Sequence, residues 1–129
     1  MHEEVLPLRA EGQTAVPHVW RPALTAIVDS LIRGDDRIGQ GVDNVVPLSE
    51  HDSDLCRELI AAYGPVTLVS LPDETWDTSI ASWWHDNRWD CVVDLHTAEE
   101  GRSDLVLEAK VFHDGDASFR IHPQLVHVP

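Results

Sequence analysis

The sequence predicts an α+β domain, with two to three helices packed on one face of a three- to five-stranded, mainly antiparallel sheet. Three observations predict it. Residues 20–33 and 50–63 carry apolar side chains at helical spacing, and the last third of the chain alternates apolar and polar residues with period two. Helices followed by a run of strands is the order of an α+β fold. A chain of 129 residues, 43% of them hydrophobic, has the length of one domain and enough apolar surface for one core.

Residues 1–18, punctuated by Pro7, Gly12 and Pro17, read as an N-terminal arm or tail with a short strand near residues 5–8; residues 19–129 read as a single α+β domain. The first helix starts where Pro22 suits a first turn. It places Leu24, Ile27, Val28, Leu31 and Ile32 on one face and stops at Gly34 as a left-handed cap. Residues 34–48 form a loop with an extended piece at residues 42–46, and this longest irregular stretch is a candidate functional loop. The second helix takes its cap from Ser49 with Asp52, or from Ser53 alone. It buries Leu55, Leu59, Ile60 and Tyr63, and ends at Gly64-Pro65.

Residues 66–71 read as a short strand. From Pro72 a third helix is expected, because Trp76, Ile80, Trp83 and Trp84 fall at i, i+4, i+7 and i+8, although Thr75, Thr78, Ser79 and Ser82 are weak helix formers. The last third is a meander. Residues 89–97 turn Trp89, Cys91, Val93 and Leu95 inward and Asp90, Asp94 and His96 outward. A turn around Gly101 leads to residues 104–112, and a second turn at residues 113–116 leads to residues 119–122. Pro123 makes that last strand an edge or bends it before pairing resumes over residues 124–128.

Charge narrows the function. Nine basic residues stand against 23 acidic ones, a net charge of −14. Such a field repels phosphate backbones and speeds encounter with basic proteins. The expected partner is therefore a basic protein, with no nucleic acid and no membrane. The N-terminus lacks the basic start and apolar stretch of a secretory signal, so the expected location is cytoplasmic. Cys56 and Cys91 form no C-x-x-C pair and are expected as buried reduced thiols, with one disulfide as the alternative. His96, His113, His122 and His127, with Asp94 or Asp116, show no fixed ligand spacing, so neither metal nor cofactor is expected. No nucleophile motif or phosphate loop is present.

Two sets of residues remain as sites. Asp35, Asp36 and Asp43 in the long loop, Glu99, Glu100 and Asp104 at the hairpin, and Trp84 are candidates for binding a partner. Asp94 with Glu108-Ala109-Lys110 resembles the strand–turn–strand core of the PD-(D/E)xK nuclease superfamily. A hairpin centred on Gly101 would put Asp94 opposite Glu108, with Lys110 on the same face. In that resemblance the two carboxylates hold a divalent metal and the lysine polarises the attacking water or the phosphate. Residues 89–111, WDCVVDLHTAEEGRSDLVLEAKV, and the closing LVHVP at 125–129 resemble a family of small uncharacterised bacterial proteins. That resemblance implies a β-hairpin core and a bacterial cytosolic setting, and brings no activity or functional residues.

The sequence-level reading is thus an acidic protein-interaction module, of the kind that an immunity or antitoxin-like inhibitor of a basic toxin would be. A metal-dependent nuclease-like enzyme and a homo-oligomeric accessory domain are the alternatives, and the oligomeric state is left open.

Overall fold

A computed structural model describes residues 12–113 and 118–129. Its elements are β1 (Gln13–Ala15), a 3-10 turn (His18–Trp20), α1 (Arg21–Arg33), α2 (Glu50–Tyr63), β2 (Leu68–Val69), a second 3-10 turn (Asp73–Asp77), β3 (Ile80–Trp83), β4 (Arg88–Thr97), β5 (Gly101–His113) and β6 (Phe119–His127). The class is α+β, with two α-helices rather than three and a six-stranded sheet, larger than expected. Strands run in the order β1-β3-β4-β5-β6, all neighbours antiparallel, while β2 pairs with the far end of β4. The expected strand at residues 5–8 lies outside the described residues. Gln13–Ala15, expected within an arm, pairs with β3, and Val16 behind it is buried.

The expected third helix is a correction. Residues 73–77 make one 3-10 turn and residues 80–83 form β3. The reason lies in the hydroxyls. Strands β2 and β3 pair with the same edge of β4, at Val69↔His96 and Ile80↔Val92, and leave a gap at Asp94. Ser79 Oγ accepts from the Asp94 N–H at 2.9 Å, and Thr75 Oγ1 donates to the Asp94 carbonyl. These two side chains occupy the place of a strand, satisfying backbone groups that must find partners when buried. Helical spacing of the tryptophans was coincidental. At the end of β3 Trp83 turns to the core, and Trp84, just beyond the strand, is 55% exposed.

The core lies between the helices and one face of the sheet. Leu24, Ile27, Val28 and Leu31 of α1 meet Trp89, Val93, Leu95, Leu105, Leu107 and Val111 of the central hairpin. Trp20, fully buried, lies against Trp89 with ring centroids 6.0 Å apart. Gly34 ends α1 in the left-handed region at φ +81°, as expected. Two apolar positions differ from their expected burial. Ile32 is 42% exposed and Leu55 is 40% exposed, because the inner face of α2 is built from Ser53, Cys56, Ile60 and Tyr63. The extended piece at residues 42–46 adds a parallel bridge from Val45 to Ile121 and covers part of the β6 edge. Beside it, Cys56 Sγ accepts from the Val126 N–H at 3.4 Å, so α2 covers the next stretch of that edge.

Both cysteines are free and buried. Burial pushes the Cys91 thiol up to about 12 and raises that of Cys56. At pH 8 neither should form the reactive thiolate. Alkylation under native conditions should therefore leave both unmodified, with two sites labelled only on unfolding; fast native labelling of Cys91 would contradict the burial. Replacing Thr75 with Val should cost about 1–3 kcal/mol in chemical denaturation, because the Asp94 carbonyl loses its hydroxyl partner.

Candidate functional site

The second helix is fixed at both ends. Ser49 Oγ accepts from the Asp52 N–H at 3.0 Å, and Glu50 and Asp52 sit in the first turn, where the helix dipole favours acids. At the other end Gly64, at φ +153° and ψ 177°, occupies backbone space reserved for glycine. Inside, Ser53 Oγ accepts from the Ile38 N–H at 2.9 Å and ties the helix to the long loop.

Outside, the same helix carries Glu50, Asp54 and Glu58 at i, i+4 and i+8, all exposed, with half-exposed Leu55 beside them. Like charges four residues apart destabilise a helix by roughly 0.2–0.5 kcal/mol per pair. No basic residue stands in the last turn to offset Glu58. Among the described residues, none of these three carboxylates has an ion-pair partner. Arg57, the one basic residue available, donates instead to the Asp35 carbonyl at 2.6 Å. Glu50 gains from the helix dipole, but Asp54 and Glu58 carry negative charge that the stability of the helix does not explain.

The hairpin tip is fastened to the inner side of the same helix. Tyr63 Oη, at the end of α2, donates to Glu100 Oε1 at 2.6 Å and accepts from the Asp104 N–H at 3.3 Å. Glu100 Oε2 accepts from Thr97 Oγ1 at 3.0 Å, and Glu99 Oε1 accepts from the Thr67 N–H at 2.8 Å. The Thr67 amide holds the Glu99 carboxyl below the usual carboxylate range, and the Glu100 carboxylate raises the Tyr63 phenol. So Glu99 and Glu100, expected to be free for a partner, also fasten the tip, Glu100 to α2 through Tyr63 and Glu99 to the Thr67 amide of the segment that follows, while Asp104 is exposed.

The long-loop acids divide in the same way. The Asp35 carboxylate accepts from Ser30 Oγ at 2.8 Å and Arg33 Nη2 at 2.9 Å, and these two hold it below its ordinary value. Asp36 and Asp43 are exposed. Sequence reasoning passed over Glu50, Asp54 and Glu58, although their four-residue spacing was there to be read.

The other face of the sheet has a different character. Its cross-strand rows include Asp90–Lys110–His122 and Val92–Glu108–Leu125, with Asp94 opposite Val106. The expected pairing of Asp94 with Glu108 is a correction. Thr97 pairs with Gly101 around a tight turn, and a bulge between Asp94 and His96 then shifts the register, so Glu108 falls opposite Val92. Asp94 and Glu108 are diagonal neighbours with other partners. Asp94 Oδ2 accepts from Thr78 Oγ1, and Glu108 Oε2 contacts His127 Nε2.

Arg88 forks onto Asp90 Oδ1 at 3.2 Å from both Nε and Nη2, and its guanidinium lies 5.4 Å from the Trp84 ring centroid. Lys110 shares this face, beside His122. Burial and the charges of Arg120 and Lys110 lower the His122 imidazole. Among the described residues, no group of three His, Cys, Asp or Glu side chains is placed to hold a metal ion.

A family model described as a domain of unknown function, DUF7668, matches residues 28–129. The chain belongs to this family. The matched span runs from the second half of α1 to the C-terminus and so includes the acidic row, the hairpin tip and the open face. No curated protein and no solved structure matches the chain. No helix among the described residues is long and apolar enough to cross a membrane.

Glu99 supplies a pH test of the tip. Its folded pKa lies below its ordinary 4.5, so the contribution is complete above that value and is lost as pH falls through the lowered folded value. Wild type should be more stable than Glu99→Gln at neutral pH, and the gap should close in acid. A gap independent of pH would mean the carboxylate does not hold the tip.

Proposed function

We propose that this DUF7668 protein is an acidic protein-interaction module that binds a basic protein partner, in the specific form of an immunity- or antitoxin-like inhibitor of a toxin. The observation that carries the reading is the row Glu50–Asp54–Glu58 on the outer side of α2, which has no ion-pair partner among the described residues. In a chain of net charge −14 this row is a regular line of carboxylates stepping about 6 Å per four residues. A basic site built to accept a phosphate backbone meets in it the charge it was built for. Binding would work by occlusion: the row covers the basic site, and exposed Leu55 supplies apolar contact to one side of it. Asp36 and Asp43 belong to the same acidic field, while Trp84 offers an exposed ring on the far side of the sheet.

The test is a substitution with opposite effects on fold and function. In Asp54→Lys, two like-charge neighbours become two attractive pairs, so the folded protein should gain roughly 1 kcal/mol. Capture of a basic partner from native lysate at low salt should fall at least about tenfold with the same substitution, and high salt should release the partner from wild type. A partner held equally by both proteins, or held regardless of salt, would defeat the reading.

A further inference from the structure

Along the β6 edge, ahead of the stretch that α2 covers, the start of α1, the long loop and the start of β6 border an open groove of about 380 Å³. Val19, Ala23 and Ala26 follow one another along the side of the helix, and with Val42 and Phe119 they line the groove with apolar surface. Val19 is 50% exposed, so the monomer leaves part of this floor in contact with water. Asp43 and Asn44 stand at the loop side, and the Asp43 carboxylate is the one charged group of the lining.

The backbone carrying that acid is held against the sheet. The Asn44 carbonyl accepts from the Ile121 N–H at 2.7 Å, and the Ile121 carbonyl accepts from the Val46 N–H at 2.9 Å. Among the described residues the Asp43 carboxylate has no ion-pair partner. The two cations next to the lining in sequence are turned elsewhere. Arg21 donates from Nε to the Val16 carbonyl at 2.9 Å and lies over the Trp76 ring, and Arg120 stands opposite Phe112 on the open face of the sheet. An apolar floor with one unpaired carboxylate repels anionic ligands. It complements a side chain with an apolar stem and a cationic tip. A lysine has that form: its methylenes can lie on the floor, and its ammonium donates in three directions, to Asp43 and to Asn44 beside it.

We infer that this groove seats one lysine side chain of the basic partner, with its ammonium on Asp43. The inference rests on the acidic-module reading and adds to it a residue-specific contact. Phe119 at the groove and Val126 beneath α2 are separated by roughly 20 Å of strand, a distance that one interface of ordinary size covers. The acidic row acts on encounter and salt dependence, whereas the groove selects a partner with lysine at one position.

The probes are synthetic heptapeptides with arginine at every flanking position and lysine, norleucine or alanine at the centre, titrated by fluorescence anisotropy at low salt. Norleucine keeps the stem of lysine and lacks its charge. Arginine flanks ensure that a slot open to any cation shows no preference for lysine. Wild type should bind the lysine peptide about fivefold more tightly than the norleucine peptide, and that one about fivefold more tightly than the alanine peptide. Methyl resonances of Val19, Ala23 and Ala26 should move with the first two peptides only. In Asp43→Asn the step from norleucine to lysine should shrink below about twofold. Asp36→Asn removes the same charge from an exposed position of the same loop outside the groove, and should keep the full step.

Equal binding of the lysine and norleucine peptides by wild type, or of the norleucine and alanine peptides, would overturn the groove inference and leave the acidic module standing. The same holds for a lysine preference that survives Asp43→Asn or that Asp36→Asn reduces as much. Failure of all three peptides to bind would remove the acidic reading and the inference together. Methyl shifts at Val19, Ala23 and Ala26 that follow protein concentration without peptide would give the groove to a second copy of the chain, and the lysine assignment would fall.

Discussion

The pairing of β4 with β5 is the constraint on which the rest of the molecule depends. Trp89, Cys91, Val93 and Leu95 face the helices, as do Leu105, Leu107, Ala109 and Val111 on the partner strand. A slip of one residue would turn each of these sets toward water. The register is set by the turn at Gly101, whose φ of +76° suits glycine, and by the bulge that follows on the way to Asp94. Both helices, the Trp20–Trp89 contact and the strands on either side take their places from this hairpin. So does the acidic tip, which Tyr63 then ties to α2.

The parts legible in the sequence are those where one local rule acts alone. Alternation in residues 89–97 and 104–112 identifies the hairpin, and the Pro22 to Gly34 pattern identifies α1. The third helix failed because two rules competed. Trp76, Ile80, Trp83 and Trp84 have helical spacing, but Thr75 and Ser79 have a tertiary use at Asp94 that no local pattern reports. The same holds for Leu55. An aliphatic residue at helical spacing reads as core, yet α2 turns small Ser53 and Cys56 inward because it lies close against the long loop and the β6 edge.

The candidate site was partly legible for a related reason. Net charge and the density of acids could be read directly, whereas the use of each acid could not. Glu99, Glu100 and Asp35 hold backbone or hydroxyl groups of the fold, and sequence alone does not separate them from exposed Asp36, Asp43 and Asp104. The Asp94–Glu108 pairing fails because the turn centres on Glu99 rather than Gly101, as the Thr97–Gly101 pair shows; the bulge then brings Glu108 from the row of Asp90 only as far as Val92.

The molecule handles charge in two ways on its two sides, and the contrast bears on function. On the open face Asp90 is clasped by Arg88, Asp94 is bonded to Thr78, and Glu108 meets His127, so each carboxylate has a partner within the domain. On the outer side of α2 the carboxylates of Glu50, Asp54 and Glu58 have no ion-pair partner among the described residues. Local pairing confines a field; an unpaired row of one sign projects it into solvent, where it acts over about a Debye length. The second helix thus accepts a stability cost that a single lysine at position 54 would remove. On the proposed reading, that row is the surface a basic partner would meet.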